Sequence, residues 1–208
     1  MMRFDTRLIV RRVPLVTGLR ERPRDRVEVE LDGVPWRLVP AEAVVRTGLS
    51  VGRALDREAA RALGRELRRL EALGVAVRAL RHRDLSRRRL EERLSRRGMR
   101  TEAQEDALAA LEQAGLVDDG RVASARAEAL AARGYGDAAI RFKLEGEGLA
   151  AELVAEALAG VEPEAVRAAK LLDRRGRGPA SVRWLASRGF DSGTLEDLAG
   201  FADEAWPR

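Results

Sequence analysis

Three segments of this chain repeat one pattern, in which a leucine precedes a glycine by four residues and an apolar residue follows directly. The three triplets are Leu94, Gly98 and Met99; Leu144, Gly148 and Leu149; and Leu185, Gly189 and Phe190. A glycine at this place is typical of a helix C-terminus, where the chain turns through a left-handed conformation that other residues adopt at a cost. The pattern therefore predicts three helices that each end at a glycine.

The similarity extends to both sides of each glycine. An earlier apolar residue recurs as Leu90, Ile140 and Val182, and a later one as Leu108, Leu158 and Ala199. A further helix is expected before each segment, over residues 75–83, 119–133 and 163–175. The fold class predicted is therefore mainly α, with three tandem three-helix repeats, helix-turn-helix-like, that stack into an elongated and curved body.

A small β-hairpin region is predicted ahead of the helices. Residues 26–31 alternate apolar and charged side chains, Asp32-Gly33 is a strong two-residue turn signal, and residues 34–39 return as a second strand. A strand around residues 8–13 could pair alongside, whereas the arginine-rich residues 18–26 are expected to form a solvated loop. Trp36 is expected to pack this sheet onto the first helix.

The helical part begins at Pro40, which is expected in the first turn of a short helix. Asp56 is predicted to cap a long helix that Gly64 and Gly74 could divide, and a new cap is expected near Asp84. We divide the chain into an N-terminal region at 1–55 and three repeats at 56–116, 117–161 and 162–208.

The residue types present argue against an enzyme. The 208 residues include no cysteine and a single histidine, His82, which excludes disulfides, thiolate catalysis and Cys-ligated zinc and leaves little material for a catalytic triad. There is no phosphate-binding glycine loop and no carboxylate cluster at catalytic spacing. We expect no cofactor, no metal and no membrane segment, and therefore a cytoplasmic protein, most simply a monomer.

Charge is unevenly distributed along the chain. Residues 1–100 contain 26 arginines and 14 acidic residues, a net charge of +12, whereas residues 101–208 contain 13 basic and 20 acidic residues, a net charge of −7. Part of the arginine content can reflect a GC-rich genome. The separation into a basic and an acidic half suggests an anionic partner for the first half, with nucleic acid the leading candidate.

The strongest candidate contacts are arginines around the first repeated segment: Arg88, Arg89, Arg93, Arg96, Arg97 and Arg100. Most of them can share one helix face opposite Leu90 and Leu94. This face is either a solubilising surface paired with Glu91 and Glu92, or a contact surface for DNA phosphates or an acidic protein. Weaker candidates follow in the later repeats: Arg141, Lys143, Arg174 and Arg175.

The adjacent acids Asp118 and Asp119 are interpreted as structural. Neighbouring helix residues point in different directions, so the pair does not form a bidentate metal site. A carboxylate at this place can cap the following helix, and Leu116 or Val117 can staple the chain onto its first turn.

These segments resemble the RecX family, the regulators of the RecA recombinase. The segment from Leu85 to Met99 is similar to the first repeat of that family, and Gly115 to Ala123 is similar to its Gly-Leu-Ile-Asp-Asp signature, with Val122 where an aromatic residue is usual. The run from Gly136 to Leu149 resembles the second repeat, with Glu147 in place of a basic residue, and Ser187 to Phe190 matches the third. The signature positions are Leu116, Asp118, Asp119, Val122, Ala123, Ile140, Leu144, Gly148, Gly189 and Phe190.

The resemblance implies a non-enzymatic regulator in DNA repair, recombination and the SOS response. Such a protein binds RecA, in particular its filament on single-stranded DNA, and usually inhibits its recombinase, coprotease and ATPase activities. Without the resemblance, the residues suggest a helical-repeat protein that binds single- or double-stranded DNA directly. The acidic second half favours the first hypothesis, because a protein that binds only DNA has little use for it.

Overall fold

The computed structural model describes residues 12–204, with the side chains of residues 12–198. Most of the predicted strand at residues 8–13, and Trp206, lie outside this range. The chain divides into two compact units, one up to Gly74 with Met99–Ala107, the other Val75–Gly98 with the chain from Leu108 onward. From residue 12 to residue 204, no helix is both long and apolar enough to cross a bilayer.

An antiparallel sheet of three strands opens the first unit. Its strands are β1 (Val16–Arg22), β2 (Arg26–Leu31) and β3 (Val34–Pro40), in that order across the sheet. The predicted hairpin is confirmed, since β2 pairs with β3 across a turn in which Asp32 and Gly33 both adopt positive φ angles, 48° and 83°. The inner face of the sheet contributes four valines to a core with the following segment: Val16, Val27, Val29, Val39, Leu49, Leu55 and Ala59.

The expectation of a solvated loop at residues 18–26 is wrong, because most of this segment belongs to β1. Leu19 packs against the sheet core, and the arginines point the other way. Arg20 pairs with Glu30 at 3.3 Å and Arg22 pairs with Glu28 at 2.6 Å, both on the neighbouring strand. Opposite charges facing each other across a strand pair stabilise an arginine-rich strand that looks like a loop in the sequence.

The prediction for Trp36 is also wrong, because its side chain is 44% exposed. The pairing of β2 with β3 jumps from Val29–Arg37 to Glu30–Pro35, which leaves Trp36 as the extra residue of a bulge. A bulge turns the local side chain away from the direction that strict alternation assigns to it.

The first helices are α1 (Ala41–Thr47) and α2 (Arg57–Leu80). Pro40 is the residue before α1 rather than part of its first turn. Asp56 caps α2 as predicted, with its carboxylate accepting the Ala59 N–H at 2.8 Å. Gly64 and Gly74 lie inside α2 and do not interrupt it, because a glycine lowers helix stability by only about 1 kcal/mol.

Eight further helices follow in the described residues. They are α3 (Arg87–Arg96), α4 (Thr101–Gln113), α5 (Asp119–Ala132), α6 (Asp137–Gly146), α7 (Ala151–Ala159), α8 (Glu164–Arg175), α9 (Pro179–Ser187) and α10 (Ser192–Glu204). The three predicted glycine turns are confirmed, because Gly98, Gly148 and Gly189 have φ angles of 71°, 81° and 80°. Ser86, not Asp84, caps α3.

In the second unit, successive helices pack in groups. Helices α5, α6 and α7 share a core of Val122, Ala123, Ala127, Ile140, Leu144, Leu149, Val154 and Ala157. Helices α8, α9 and α10 share another, of Ala168, Leu172, Leu185, Phe190 and Leu195. On α3, Leu90 and Leu94 are fully buried. The leucines of the sequence pattern, Leu94, Leu144 and Leu185, are therefore core residues on α3, α6 and α9.

The C-terminus of α6 meets the N-terminus of α3, and we call this contact the first joint. Ser86 Oγ donates to the Glu147 carbonyl at 2.9 Å, and Arg89 donates to the Gly146 carbonyl at 3.3 Å. A Cβ added at Gly148 would lie 2.8 Å from the Cβ of Arg88 and 2.1 Å from its Cδ. Gly148 therefore has two reasons to be glycine, its positive φ angle and the close approach of α3.

The C-terminus of α9 meets the N-terminus of α6, and we call this contact the second joint. The Gly136 N–H donates to the Arg188 carbonyl at 3.0 Å, and the Ala138 N–H donates to the Gly189 carbonyl at 3.2 Å. A Cβ at Gly189 would lie 2.6 Å from the Ala139 nitrogen, and a Cβ at Gly136 would lie 2.2 Å from the Gly189 oxygen. Free carbonyls of one helix thus bind free N–H groups of another, and opposite dipole ends face each other.

Each joint also holds a carboxylate from a third helix. Asp118 caps its own helix, α5, by accepting the Arg121 N–H at 2.9 Å, as the capping interpretation predicts. Asp119 instead accepts the N–H of Arg87, the first residue of α3, at 2.8 Å. At the second joint, Glu164 accepts the N–H of Asp137, the first residue of α6, at 2.6 Å.

Of the two residues predicted as the hydrophobic staple of α5, Val117 is the buried one. Its side chain is 5% exposed, whereas Leu116 is 50% exposed.

Candidate functional site

The first joint brings cationic side chains of three helices together. On α3, Arg89, Arg93 and Arg96 follow each other at spacings of four and three residues, which places them on one face of the helix. On α5, Arg126 and Arg133 are seven residues apart, which is about two turns. Because α6 ends against α3 and packs on α5, cations from all three helices reach one concave surface.

We call this surface the basic cleft. One part, of about 280 Å³, lies beside Ser86 and α3, and a second part, of about 420 Å³, lies between α5 and α6. The two parts share Arg89, Arg126 and Glu147. The cationic lining residues are Arg83, Arg89, Arg93, Arg96, Arg126, Arg133 and Lys143, against two acids, Asp84 and Glu147.

Part of this charge is already neutralised by one glutamate. Glu92 pairs with Arg88 at 3.3 Å, with Arg89 at 3.1 Å and with Arg96 at 3.3 Å. The hydrogen bond from Arg89 is the largest factor that lowers the pKa of Glu92 below its ordinary value, so the carboxylate stays ionised. For these three arginines, the pairing with Glu92 agrees with the interpretation of the α3 face as a solubilising surface.

The other cleft cations are more available to a partner. Arg83, Arg93 and Arg133 form no ion pair with any residue between 12 and 198. Arg126 lies 3.8 Å from Glu147, a long contact, and Lys143 lies 4.9 Å from the centre of the Tyr135 ring. The cleft can therefore bind an anionic group without first breaking strong internal ion pairs at these positions.

Several predicted contact residues lie outside the cleft. Arg88 covers Gly148, Arg97 is the residue after α3, and Arg141 and Arg174 are exposed on α6 and α8. Arg100 does not share the α3 face, because α3 ends at Arg96 and the chain turns at Gly98. It belongs to the first unit, where a separate cavity of about 500 Å³ is lined by Arg61, Arg65, Arg68, Arg100 and Glu102 among others.

Arg175 takes part in a stack of cations and aromatic rings at the second joint. Its guanidinium lies 4.1 Å from the centre of the Trp184 ring. Arg188 lies between Trp184 and Tyr135, at 4.9 and 4.4 Å, and donates to the Arg133 carbonyl at 2.8 Å. Trp184 is half-buried in this stack. Arg175 thus stabilises the packing of α8 against α9 instead of projecting freely.

Four residues of the cleft were not predicted from the sequence: Arg83, Arg126, Arg133 and Phe142. The spacing of Arg126 and Arg133 by two helical turns is the one signal that points to a shared face. This spacing is easily overlooked, because residues 101–208 carry a net negative charge. In the described part of the chain, no group of three or more His, Asp or Glu residues is arranged to hold a metal ion.

Comparison with known proteins identifies the family. A regulatory protein RecX from Chromohalobacter salexigens is 38% identical over 140 residues, which cover 90% of that protein and 63% of this chain. The chain belongs to the RecX family. A regulatory protein RecX from Xanthomonas oryzae pv. oryzae is 34% identical over 140 residues, covering 85% of that protein and 62% of this chain. The resemblance seen in the sequence motifs is therefore confirmed.

Solved structures agree on the fold. A crystal structure of regulatory protein RecX superimposes with a TM-score of 0.76 at 20% identity, covering 89% of this chain and 98% of that one. A crystal structure of RecX from Lactobacillus salivarius gives a TM-score of 0.58 at 15% identity, covering 65% of this chain and 97% of that one. No protein-family model matches the chain.

Proposed function

We propose that this protein binds RecA, in particular its filament on single-stranded DNA, and inhibits its recombinase, coprotease and ATPase activities. Membership of the RecX family supports the regulatory role, because the relatives are named regulatory proteins. On this proposal the protein acts without catalysing a reaction, as a monomer in the cytoplasm, where RecA and its DNA are found.

The observation that carries the proposal is the basic cleft beside the first joint. It offers seven cations against two acids, and five of the cations lie on α3, α5 and α6, beside Arg83 before α3 and Arg133 after α5. A concave cationic surface raises the local concentration of an anionic partner and speeds association at low salt. The filament presents such groups both as acidic side chains and as DNA phosphates.

The arrangement of the whole helical region belongs to the same proposal. We assign three repeats to residues 56–116, 117–161 and 162–208 after an N-terminal region at 1–55. The similar positions of Gly148 and Gly189 support this assignment, because each glycine follows a helix and lies against the first turn of another helix.

The second candidate function is direct binding of DNA by a helical-repeat protein. Arg93 and Arg133, which have no ion-pair partner within the described side chains, are the observation that favours it. A guanidinium without an internal carboxylate can contact phosphate directly, and binding of this kind weakens steeply as salt concentration rises.

The decisive experiment measures ATP hydrolysis by RecA on single-stranded DNA with sub-stoichiometric amounts of this protein. Inhibition is expected, and it should fall at least tenfold in potency when Arg89, Arg93 and Arg96 are all changed to Glu. A matched variant should retain inhibition when it reverses three exposed arginines that do not line the cleft, Arg141 on α6, Arg174 on α8 and Arg183 on α9. Equal loss in both variants would reject the cleft as the contact surface. Binding to free DNA with no effect on RecA would favour the second candidate.

A further inference from the structure

Phe142 is an aromatic side chain that the fold does not use. It lies on α6, whose core positions are Ile140 and Leu144, both fully buried. Phe142 itself is 79% exposed, compared with 44% for Trp36 in the bulge of the sheet. A large apolar ring left in water loses the free energy that burial would give it, so this position has no explanation in the packing of the molecule.

The surroundings of Phe142 are cationic. It lines the part of the basic cleft between α5 and α6, together with Arg89, Arg126, Arg133 and Lys143. The apolar neighbours in this part are small in number, Ala129 and Leu130. This part of the cleft therefore combines one exposed ring with four positive charges and one negative charge, Glu147, in a volume of about 420 Å³.

We propose that this part of the cleft binds single-stranded nucleic acid, with one base stacked on the ring of Phe142 and the adjoining phosphates on Arg126, Arg133 and Lys143. An aromatic ring beside a basic groove is the combination that binds a single strand without regard to sequence, because every base has a flat face and every linkage carries a charge. The inference rests on the cleft being the contact surface of the proposed function, and it names the class of ligand.

A duplex fits this arrangement less well. Its bases are stacked on each other, so the ring of Phe142 gains nothing from a double helix, whereas the cations bind its phosphates as well as those of a single strand. Phe142 is thus the residue that distinguishes single strands from duplexes, and the cations supply affinity for both.

A protein partner also fits less well. The aromatic residues that dominate protein interfaces lie in well-packed pockets whose neighbours exclude water. Phe142 is surrounded mainly by charged side chains that remain hydrated, and Arg133 has no ion-pair partner between residues 12 and 198. Stacking of a base tolerates such wet, charged surroundings.

The test uses the full-length protein without RecA and a labelled oligothymidine of about 15 nucleotides, with binding followed by fluorescence anisotropy. Phe142→Ala should weaken binding about tenfold, the size expected for one lost base stack, while Phe142→Trp should retain it. Binding of a duplex of matched length should be unchanged in both variants. Because Phe142 is exposed, thermal unfolding should coincide with that of the wild type, which shows that the variants are folded.

Salt dependence separates the two kinds of contact. Phe142→Ala should leave the slope of log affinity against log salt unchanged, whereas Arg133→Gln should reduce its magnitude by about 0.7, the value for one phosphate contact on a single strand. An unchanged affinity of Phe142→Ala for oligothymidine, an equal loss for duplex, or no binding of oligothymidine by the wild type at low salt would each overturn the inference.

The test distinguishes failure of this inference from failure of the proposed function. If Phe142→Ala abolishes inhibition of RecA but leaves oligothymidine binding intact, Phe142 contacts protein, and the inference fails while the proposed function stands. If the wild type binds oligothymidine through Phe142 and has no effect on RecA, the inference stands and the proposed function fails.

Discussion

The two joints of the second unit both place a glycine after one helix against the first turn of another, and they differ in the groups that make the contact. At both, a helix ends at a glycine in left-handed conformation and approaches the first turn of another helix too closely for a Cβ. At the first joint the space beside the contact is open and lined by cations. At the second joint it is filled by the rings of Tyr135 and Trp184 with Arg188 between them.

On the proposed function, the second joint holds helices together, whereas the first joint also forms a surface for a partner. The second joint has an additional buried connection, since Arg167 is 7% exposed, pairs with Asp137 and donates to the Tyr135 carbonyl at 2.6 Å. A buried charge of this kind is tolerated only where its hydrogen bonds are satisfied. At the first joint the buried polar side chain is the neutral Ser86, which donates to the Glu147 carbonyl, and Arg89 and Arg96 remain at the surface. The same contact between helices can therefore support a rigid junction or the wall of a binding site.

The largest effect is expected at the second joint. Gly136→Ala would place a Cβ 2.2 Å from the Gly189 oxygen, and neither backbone can move without breaking the hydrogen bonds of the joint. We expect a loss of about 3 kcal/mol or more in the free energy of unfolding, measured by denaturant titration. Gly98→Ala is the matched control: its φ angle of 71° makes alanine strained, but no atom lies within 4 Å, so about 1 kcal/mol is expected. A loss no larger than that of Gly98→Ala would show that the two backbones separate at little cost.

An intermediate effect is expected at the first joint. In Gly148→Ala the new Cβ meets a side chain, Arg88, whose outer atoms can rotate away. We expect a loss of about 2 kcal/mol, which Arg88→Ala should reduce only in part, because it removes the Cδ contact at 2.1 Å and leaves the Cβ contact at 2.8 Å. Additive losses in the double variant would mean that Arg88 does not fill the space in front of Gly148. No comparable rescue exists at the second joint, where the obstacle is backbone.

The smallest effect concerns the charge of the cleft. Glu92→Gln should release Arg88, Arg89 and Arg96 from their shared carboxylate and raise the affinity for an anionic polymer about twofold to fivefold, since exposed ion pairs are weak. Because the pKa of Glu92 is lowered in the folded protein, its ion pairs persist above the ordinary glutamate pKa and are lost as pH falls through the lowered value.

The lowered pKa of Glu92 also predicts how the affinity for an anionic polymer changes with pH. Affinity of the wild-type protein should rise as Glu92 becomes protonated at low pH, and the part of the rise due to Glu92 should be absent in Glu92→Gln. Binding measured in parallel by anisotropy across the acid range would check it. Identical pH profiles for the two proteins would show that Glu92 does not control the cleft.

The elements predicted correctly from sequence are those determined by neighbouring residues. The turn at Asp32-Gly33, the cap at Asp56 and the glycine ends of α3, α6 and α9 all depend on residues within a few positions. β1 was missed because its stability comes from Glu28 and Glu30 on another strand. The partner of Asp119 could not be predicted for a similar reason, since the N–H group that it binds belongs to α3.

The candidate site was predicted only in part. Arg89, Arg93 and Arg96 share a helix face that the sequence reveals, whereas Arg126, Arg133 and Phe142 reach the cleft only because α5 and α6 pack beside α3. The net charge of each half of the chain gave no indication of this site, because three cations of the cleft come from the half that is acidic overall. Periodicity places residues on a face, but the contact between helices decides which faces meet.

The stacking of Trp184 has an optical consequence. The guanidinium groups of Arg175 and Arg188 lie 4.1 and 4.9 Å from the centre of the Trp184 ring. The emission of this indole therefore depends on its distance from these two charges. The protein thus carries an intrinsic spectroscopic reporter at the junction of α6 and α9. With Trp36 replaced by phenylalanine to reduce the background, the emission spectrum would register any opening of that junction when a partner binds, without an attached dye.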